Sequence, residues 1–141
     1  MTREQIVAMA QMMIRASNSH DAAALASTHA DDCVLHSPMF GEVRGRAAIE
    51  RSYRDLFRAF PDWTFEQQEL IIDGSRVAQL FVSEATHSSD LFGVEATNRK
   101  FKIHGVLIYE LREGKIAVER RLYDFTSLLL QVGVLKAKPG K

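Results

Sequence analysis

Apolar residues recur at helical spacing through the first half of the chain. A capping box over residues 2–5 marks the start of one helix, and Asp21 is placed to cap a second, shorter helix that runs to about His29. A longer helix begins at Gly45 and is stopped by Pro61. Its apolar stripe comprises Ile49, Tyr53, Leu56, Phe57 and Phe60.

The period of the pattern changes in the second half, where runs rich in Val, Ile, Phe and Tyr predict strands. A short strand at 33–36 precedes them. The long strands are predicted at 63–72, 76–87, 99–112 and 115–124. Helices followed by a meander of strands predict an α+β domain, in which the N-terminal helices pack on one face of a strongly curved antiparallel sheet.

Composition limits the classes of protein that this chain can belong to. Its 141 residues form one domain, which we assign to residues 1–135, and the lysine- and glycine-containing segment 136–141 is expected to be a flexible tail. The 18 basic and 18 acidic side chains cancel, which argues against a nucleic-acid partner. A single cysteine, Cys33, fits a reducing cytoplasm, and no membrane span or signal peptide is expected.

An acid, Asp124, lies at the end of the last predicted strand. By strand alternation it shares a face with Ile116, Val118, Arg120 and Leu122. Apolar walls from Leu80, Phe92 or Trp63 would raise the proton affinity of such an acid and suit it to proton transfer. The alternative is a structural role, in which Asp124 caps a helix that begins near Phe125.

The turn at Glu113-Gly114 decides whether His104 can meet Asp124. A three-residue loop would place the two side chains on one face as diagonal neighbours, whereas a two-residue loop would place them on opposite faces. We favour the three-residue loop, so that the carboxylate orients the imidazole. His104 and Asp124 are therefore the predicted catalytic residues.

Three segments of the chain carry a family resemblance. They are RGRAAIERSYRDLFRAFPDW, then ATHSSDLFG, then EGKI followed by YDFTSLLLQVG, and together they span most of residues 45–133. The sequence resembles the SnoaL-like polyketide cyclases of the nuclear-transport-factor-2-like superfamily, which are cone-shaped α+β domains. The resemblance implies that Asp124 is the general acid and base of an intramolecular aldol ring closure. The chain departs from the family at 85–89, where ATHSS stands in place of GTHTG.

The predicted function is that of a small, cofactor-free enzyme with an apolar pocket, which performs aldol cyclisation or isomerisation on a polyketide-like or other cyclic carbonyl compound. Such chemistry needs one carboxylate base and a donor for the enolate oxygen. One alternative is a module that binds a small molecule or a protein without catalysis. Another is an epoxide hydrolase-like enzyme, for which Glu84 with Arg120 is the partner set.

Further residues are candidates for binding the hydrophobic ligand. They are His36, Tyr53, Trp63, His87 and Arg120. No metal is predicted, because His29, Asp31, Asp32 and His36 lack a recognised ligand spacing. The last strands are apolar on both faces and one helical layer covers only one of them, so we expect a homodimer through the open sheet face.

Overall fold

The computed structural model describes residues 1–91 and 93–138. Within these residues the chain forms four helices and six strands. In chain order they are α1 Arg3–Asn18, α2 Ala22–Ser27, β1 His29–Ser37, β2 Gly41–Arg44, α3 Arg46–Ala59, β3 Thr64–Asp73, β4 Arg76–Thr86, β5 Lys100–Arg112, β6 Lys115–Tyr123 and α4 Phe125–Gln131. The predicted Phe92 wall and residues 139–141 of the predicted tail lie outside the described residues.

The helices begin where local chemistry places their caps. At the start of α1 the Thr2 hydroxyl accepts a hydrogen bond from the Gln5 N–H (3.1 Å), and the Gln5 side chain accepts one from the Thr2 N–H (2.9 Å). Asp21 caps α2 through the Ala24 N–H at 3.0 Å. The prediction that α2 reaches His29 is wrong. Because Ser27 ends α2, His29 becomes the first residue of β1.

The α+β prediction is confirmed, with helices on one face of an open, curved sheet. In the described residues the strand order is β2-β1-β6-β5-β4-β3. The long strands form the predicted antiparallel meander, but β1 pairs with β6 in parallel, so the sheet is mixed. A parallel pair requires a long connection, which α3 and the intervening strands provide.

A β-bulge near the start of β6 determines which residues of this strand face the helices. Leu111 pairs with Ile116 and Glu110 pairs with Val118, so Ala117 is an extra residue on β6. An extra residue shifts the alternation of side chains by one. Ile116 is buried before the bulge, and the buried positions after it are 119 and 121. Positions 118, 120 and 122, which the sequence placed on the pocket side of the strand, consequently lie on the outer face.

The inner face of the sheet packs against the helices and builds the core. The largest fully buried apolar side chains in the described residues are Tyr109, Phe60, Ile6, Leu35, Ile49, Ile116, Leu128 and Val132. The outer face carries half-buried or exposed apolar residues, of which Leu122 is 51% exposed. Within the described range no helix combines the length and the apolarity that a membrane crossing needs.

Candidate functional site

A cavity of about 60 Å³ lies between the helices and the inner face of the sheet. Apolar side chains make most of its wall, including Met13, Leu56, Phe81 and Leu128. The polar residues that line it are Ser17, Tyr53, Gln79, Arg121 and Tyr123. The site is therefore a small, largely apolar chamber with a few polar residues in its wall.

Below this cavity lies a buried network of charged side chains. Glu119 is fully buried, and each of its carboxylate oxygens has a partner. Oε1 lies 3.0 Å from Nε2 of His29, and Oε2 accepts a hydrogen bond of 2.7 Å from Nε of Arg121. A buried carboxylate is tolerated when its partners are this close, because they offset the cost of removing it from water.

The local backbone brings these three side chains together. His29 is the first residue of β1 and pairs with Ile116 at the start of β6. The bulge at Ala117 then directs both Glu119 and Arg121 to the inner face, two residues apart on one strand. The network thus depends on the parallel contact between β1 and β6.

The hydrogen bonds of His29 define the arrangement further. Nδ1 lies 3.1 Å from the Leu25 carbonyl oxygen and 3.1 Å from Oγ1 of Thr28. The Thr28 hydroxyl already donates its hydrogen to the Leu25 carbonyl at 2.7 Å. Both ring nitrogens therefore face oxygen acceptors, since Glu119 accepts at the other side.

The network sets the ionisation of its members. Burial by itself raises the pKa of Glu119, but the charge of Arg121 and the hydrogen bond from His29 outweigh it and lower that pKa from 4.5 to about 2. Burial raises the pKa of the Tyr53 hydroxyl well above its usual range. Burial lowers the pKa of Arg121, yet Tyr53 and Glu119 more than reverse this and raise it. At neutral pH Glu119 is ionised, Arg121 is charged and Tyr53 keeps its proton.

Arg121 links the charged network to the cavity. Its guanidinium carbon lies 4.5 Å from the centre of the Tyr53 ring, a cation–π contact that fixes the plane of the group. Arg121 is only 7% exposed and lines the cavity. Its Nη2 is buried and has no hydrogen-bond partner among the described residues. A buried N–H without a partner is costly, so this nitrogen is a strained point of the network.

A second polar group on the wall is held rigidly. The Tyr109 hydroxyl donates to Oε1 of Gln79 at 2.7 Å, and Nε2 of Gln79 donates to Oε1 of Gln67 at 2.9 Å. Gln79 and Tyr109 are both fully buried or nearly so. The side-chain amide of Gln79 is thereby fixed at the cavity wall.

Two of the predicted ligand-binding residues lie at the cavity. Tyr53 and Trp63 are buried and line it. His87 is buried elsewhere, and its Nδ1 lies 3.0 Å from the Thr97 hydroxyl. His36 and Arg120 are paired across β1 and β6 at positions that face away from the helices. The binding roles of these five residues stay predictions.

Asp124 occupies the position of a helix cap. Its Oδ1 accepts a hydrogen bond of 2.8 Å from the Ser127 N–H at the start of α4, and the residue is exposed. This is the structural role that the sequence left open as an alternative. The predicted apolar wall is not around it, since Trp63 lies in the cavity. Whether Asp124 also takes part in catalysis stays a prediction.

The turn between β5 and β6 differs from the one we favoured. Arg112 pairs with Lys115, so the loop has two residues rather than three. The bulge at Ala117 compensates for this shorter loop, and Gly105 pairs with Tyr123. The pairing ends there, one residue short of His104 and Asp124, and both of these residues are exposed.

The pair proposed for epoxide hydrolysis is not assembled. Glu84 is paired with Lys102 at 3.7 Å, and Arg120 is paired with Glu110 at 3.9 Å. All four side chains are at least 39% exposed, so these are solvent-screened surface ion pairs. Over residues 1–91 and 93–138, no group of three or more His, Cys, Asp or Glu side chains is arranged to hold a metal ion.

The sequence did contain a signal for the residues that were missed. Glu119 and Arg121 stand two residues apart in a predicted strand, the spacing that places an acid and a base on one face. His29 carried no such signal, because the sequence pattern placed it at the end of a helix. Its position depends on the pairing of β1 with β6.

Comparison with known proteins gives the same fold and a family. The family model of SnoaL-like polyketide cyclases matches residues 7–132. Comparison with curated proteins gives no match.

Solved structures similar to this chain include three bacterial proteins. AclR from Streptomyces galilaeus, a proposed hydroxylase, is 25% identical over 98% of this chain and 91% of its own, with a TM-score of 0.84. IdmH from Streptomyces antibioticus, a proposed polyketide cyclase, is 27% identical over 90% of this chain and 97% of its own, with a TM-score of 0.77. A proposed SnoaL-like cyclase from Jannaschia is 15% identical over 94% of each chain, with a TM-score of 0.82, and shows the fold alone.

The buried network predicts how stability depends on pH. Because the pKa of Glu119 is lower in the folded chain (about 2) than its ordinary 4.5, the network stabilises the fold fully above pH 4.5. This stability is lost as the pH falls from 4.5 towards 2. The expected loss in the free energy of unfolding is about 3 kcal/mol. Urea unfolding at a series of pH values measures it.

The control for this measurement is the double variant Glu119→Gln with Arg121→Met. It removes both charges together, which avoids leaving one buried charge without its partner. The double variant should lose most of the pH dependence between 4.5 and 2. An unchanged pH dependence in the double variant would show that other carboxylates cause the acid instability.

Proposed function

Because the chain belongs to the SnoaL-like polyketide cyclases, a family of small enzymes, we propose that it catalyses ring closure or isomerisation of a polyketide-like or other cyclic carbonyl compound. The observation that carries this proposal is Arg121, the one charged side chain among the described residues that line a largely apolar cavity. A carbonyl oxygen that gains negative charge during reaction is the group such a donor stabilises.

The role of Arg121 in the proposed reaction depends on where negative charge develops on the substrate. Aldol closure and isomerisation both pass through an enolate, whose negative charge lies largely on oxygen. The Arg121 guanidinium would hold that oxygen, and the apolar wall strengthens the interaction by excluding water. The ligand's ring would pack on the aromatic wall residues Trp63 and Phe81.

Glu119 and His29 would act through Arg121 rather than on the substrate. Both oxygens of Glu119 are already engaged, and with a pKa of about 2 this carboxylate is a poor base. Its hydrogen bond with Nε would fix the orientation of the guanidinium at the cavity wall. Tyr53 completes the positioning by stacking under the same group.

A second candidate function is binding without catalysis. It is favoured by one observation: of the described residues that line the cavity, none is a carboxylate or a histidine. Proton transfer would then need a group from outside the cavity wall. Asp124 remains the candidate general base that the family resemblance implies, from its exposed position at the end of β6.

We also propose that the chain is a twofold homodimer through the outer sheet face. Val106 and Ile108 on β5 lie beside Val118 and Leu122 on β6, and none of these apolar side chains is fully buried in the single chain. An apolar strip of this kind is normally covered by a partner. In the part of the chain that the structure describes, the helices cover only the opposite face.

The dimer can be tested with one outer-face charge. Light scattering at micromolar concentration should give the mass of two chains for the natural sequence. Ile108→Glu should give the mass of one chain, because a buried carboxylate without a partner opposes association. Arg51→Glu, an exposed change on helix α3, should leave the dimer intact. A single-chain mass for the natural sequence would contradict the proposal.

The catalytic proposal can be tested with 2,6-heptanedione, which closes by an intramolecular aldol reaction to a ring hydroxyketone. Loss of water from this product gives a conjugated ring ketone with a distinct ultraviolet absorption, and chromatography measures the hydroxyketone itself. We expect the chain to accelerate this closure, and Arg121→Met to lower the rate by a factor of about 10² to 10³, the loss typical of one oxyanion donor. Asp124→Asn keeps a good helix cap and should fold normally. It should retain the rate if Arg121 carries the chemistry.

The other outcomes separate the alternatives. A loss of rate by a factor of about 10² or more in Asp124→Asn, with normal folding, would assign the acid–base role to Asp124 instead. A chain that binds the diketone but leaves its rate of closure unchanged would be a binding module.

A further inference from the structure

The cavity is smaller than a single ring compound needs. Its volume is about 60 Å³. An apolar protein cavity that takes up benzene measures about 150 Å³, and small-molecule sites generally span about 300 to 1,000 Å³. A ring that enters this cavity must therefore displace part of its wall.

An open groove lies beside the cavity, between the last turns of α3 and the segment 89–91. The groove has a volume of about 410 Å³, which is within the range of small-molecule sites. The buried side chains of Phe60 and Leu91 form part of its wall. The Ser89 hydroxyl donates a hydrogen bond of 2.8 Å to the Ala59 carbonyl, which holds the segment against the end of the helix.

Three side chains line both the cavity and the groove. They are Met39, Phe40 and Leu56, and no other described residue belongs to both walls. Each of the three is half-buried, as expected of a side chain that has the closed cavity on one side and the open groove on the other. These side chains therefore stand between the two spaces.

The three side chains differ in how freely they can move. Leu56 belongs to α3, whose backbone fixes it. Met39 and Phe40 belong to the turn between β1 and β2, where their N–H groups donate to Oγ of Ser37 at 3.1 and 3.2 Å. A methionine side chain is unbranched and has three rotatable bonds, so it changes its path at low cost. The turn is thus the movable side of the boundary.

The Tyr123 hydroxyl connects this turn to the sheet. Tyr123 ends β6 and lines the cavity. Burial raises the pKa of its hydroxyl, and hydrogen bonds with the Ser37 side chain and the Met39 backbone, together with the charge of Arg121, act against that rise. The hydroxyl therefore holds the turn in the closed position from within the cavity.

We propose that Met39 and Phe40 form a gate between the cavity and the groove, and that the two spaces become one binding site when these side chains move aside. One ring of a ligand would then lie in the cavity, and the rest of the same molecule would lie in the groove and hold the gate open. A molecule with a single ring must open the gate without gaining the groove contacts. The site therefore favours two linked rings over one. The inference rests on the proposed function only in that the cavity receives a small molecule.

The gate can be tested without any ligand, because the chain has a single tryptophan and this residue, Trp63, lines the cavity. Its fluorescence reports access to the cavity by acrylamide, a small neutral quencher. Met39→Ala shortens the gate and should raise the rate constant of quenching. Tyr123→Phe removes only the hydroxyl that holds the turn and should raise it as well. Met12→Ala is the matched control, since Met12 is half-buried on α1 and lines neither space.

The joined site can be tested with two neutral ketones, cyclohexanone with one ring and 4-phenylcyclohexanone with two. Isothermal titration calorimetry should show tighter binding of the two-ring ketone. Met39→Ala should tighten it further by a factor of about 10, the gain expected when a conformation populated at about 10% becomes the main one. Ala59→Phe fills the groove and does not touch the cavity. It should weaken binding of the two-ring ketone and leave that of cyclohexanone unchanged.

The proposal fails if Trp63 is quenched equally in the natural chain and in both gate variants, or if Met12→Ala raises quenching as much as they do. Binding of neither ketone, or a two-ring affinity that Ala59→Phe leaves unchanged, would overturn the joined site. Tyr123→Phe keeps the ring, so it carries the test if Met39→Ala does not fold. None of these measurements involves turnover. A failure of the gate is therefore distinct from a failure of the ring-closure proposal, which the diketone assay decides.

Discussion

The burial of one carboxylate, that of Glu119, is the constraint on which the rest of the site depends. An ionised acid with no exposed surface requires close partners, and His29 and Arg121 supply them at 3.0 and 2.7 Å. His29 can reach it because β1 runs parallel to β6, and Arg121 can because it shares a strand face with it. The β-bulge at Ala117 selects that face. The parallel pairing of β1 with β6 and the bulge at Ala117 therefore determine both the sheet and the site.

The same constraint gives the cavity its chemical character. Glu119 holds Arg121 by Nε and the Tyr53 ring lies against the guanidinium, so the cation is fixed at the wall of an apolar chamber. In the proposed function the carboxylate positions the cation, and the cation meets the ligand. A site of this design stabilises negative charge on oxygen.

The fold could be predicted from sequence more fully than the site. Local sequence patterns predict three features of the fold. They are the capping box at Thr2, the end of α3 before Pro61 and the β-meander. The sequence does not show which residues of β6 face the helices. Strand alternation assumes a regular ladder, and the bulge at Ala117 reverses the alternation of the side chains that follow it. His29 is a still harder case. Its role arises from a parallel pairing with a strand almost 90 residues away, which no local pattern encodes.

The central claim is that the Arg121 guanidinium binds a ligand oxygen in the cavity, and a crystal structure of the complex with 2,6-heptanedione tests it most directly. The account predicts the diketone in the cavity with one carbonyl oxygen about 2.7 to 2.9 Å from a guanidinium nitrogen of Arg121, the length of a charge-assisted hydrogen bond. The contacts of Glu119 with His29 and Arg121 should remain unchanged. The diketone bound at the outer sheet face or beside Asp124, with the cavity occupied by side chains alone, would contradict it.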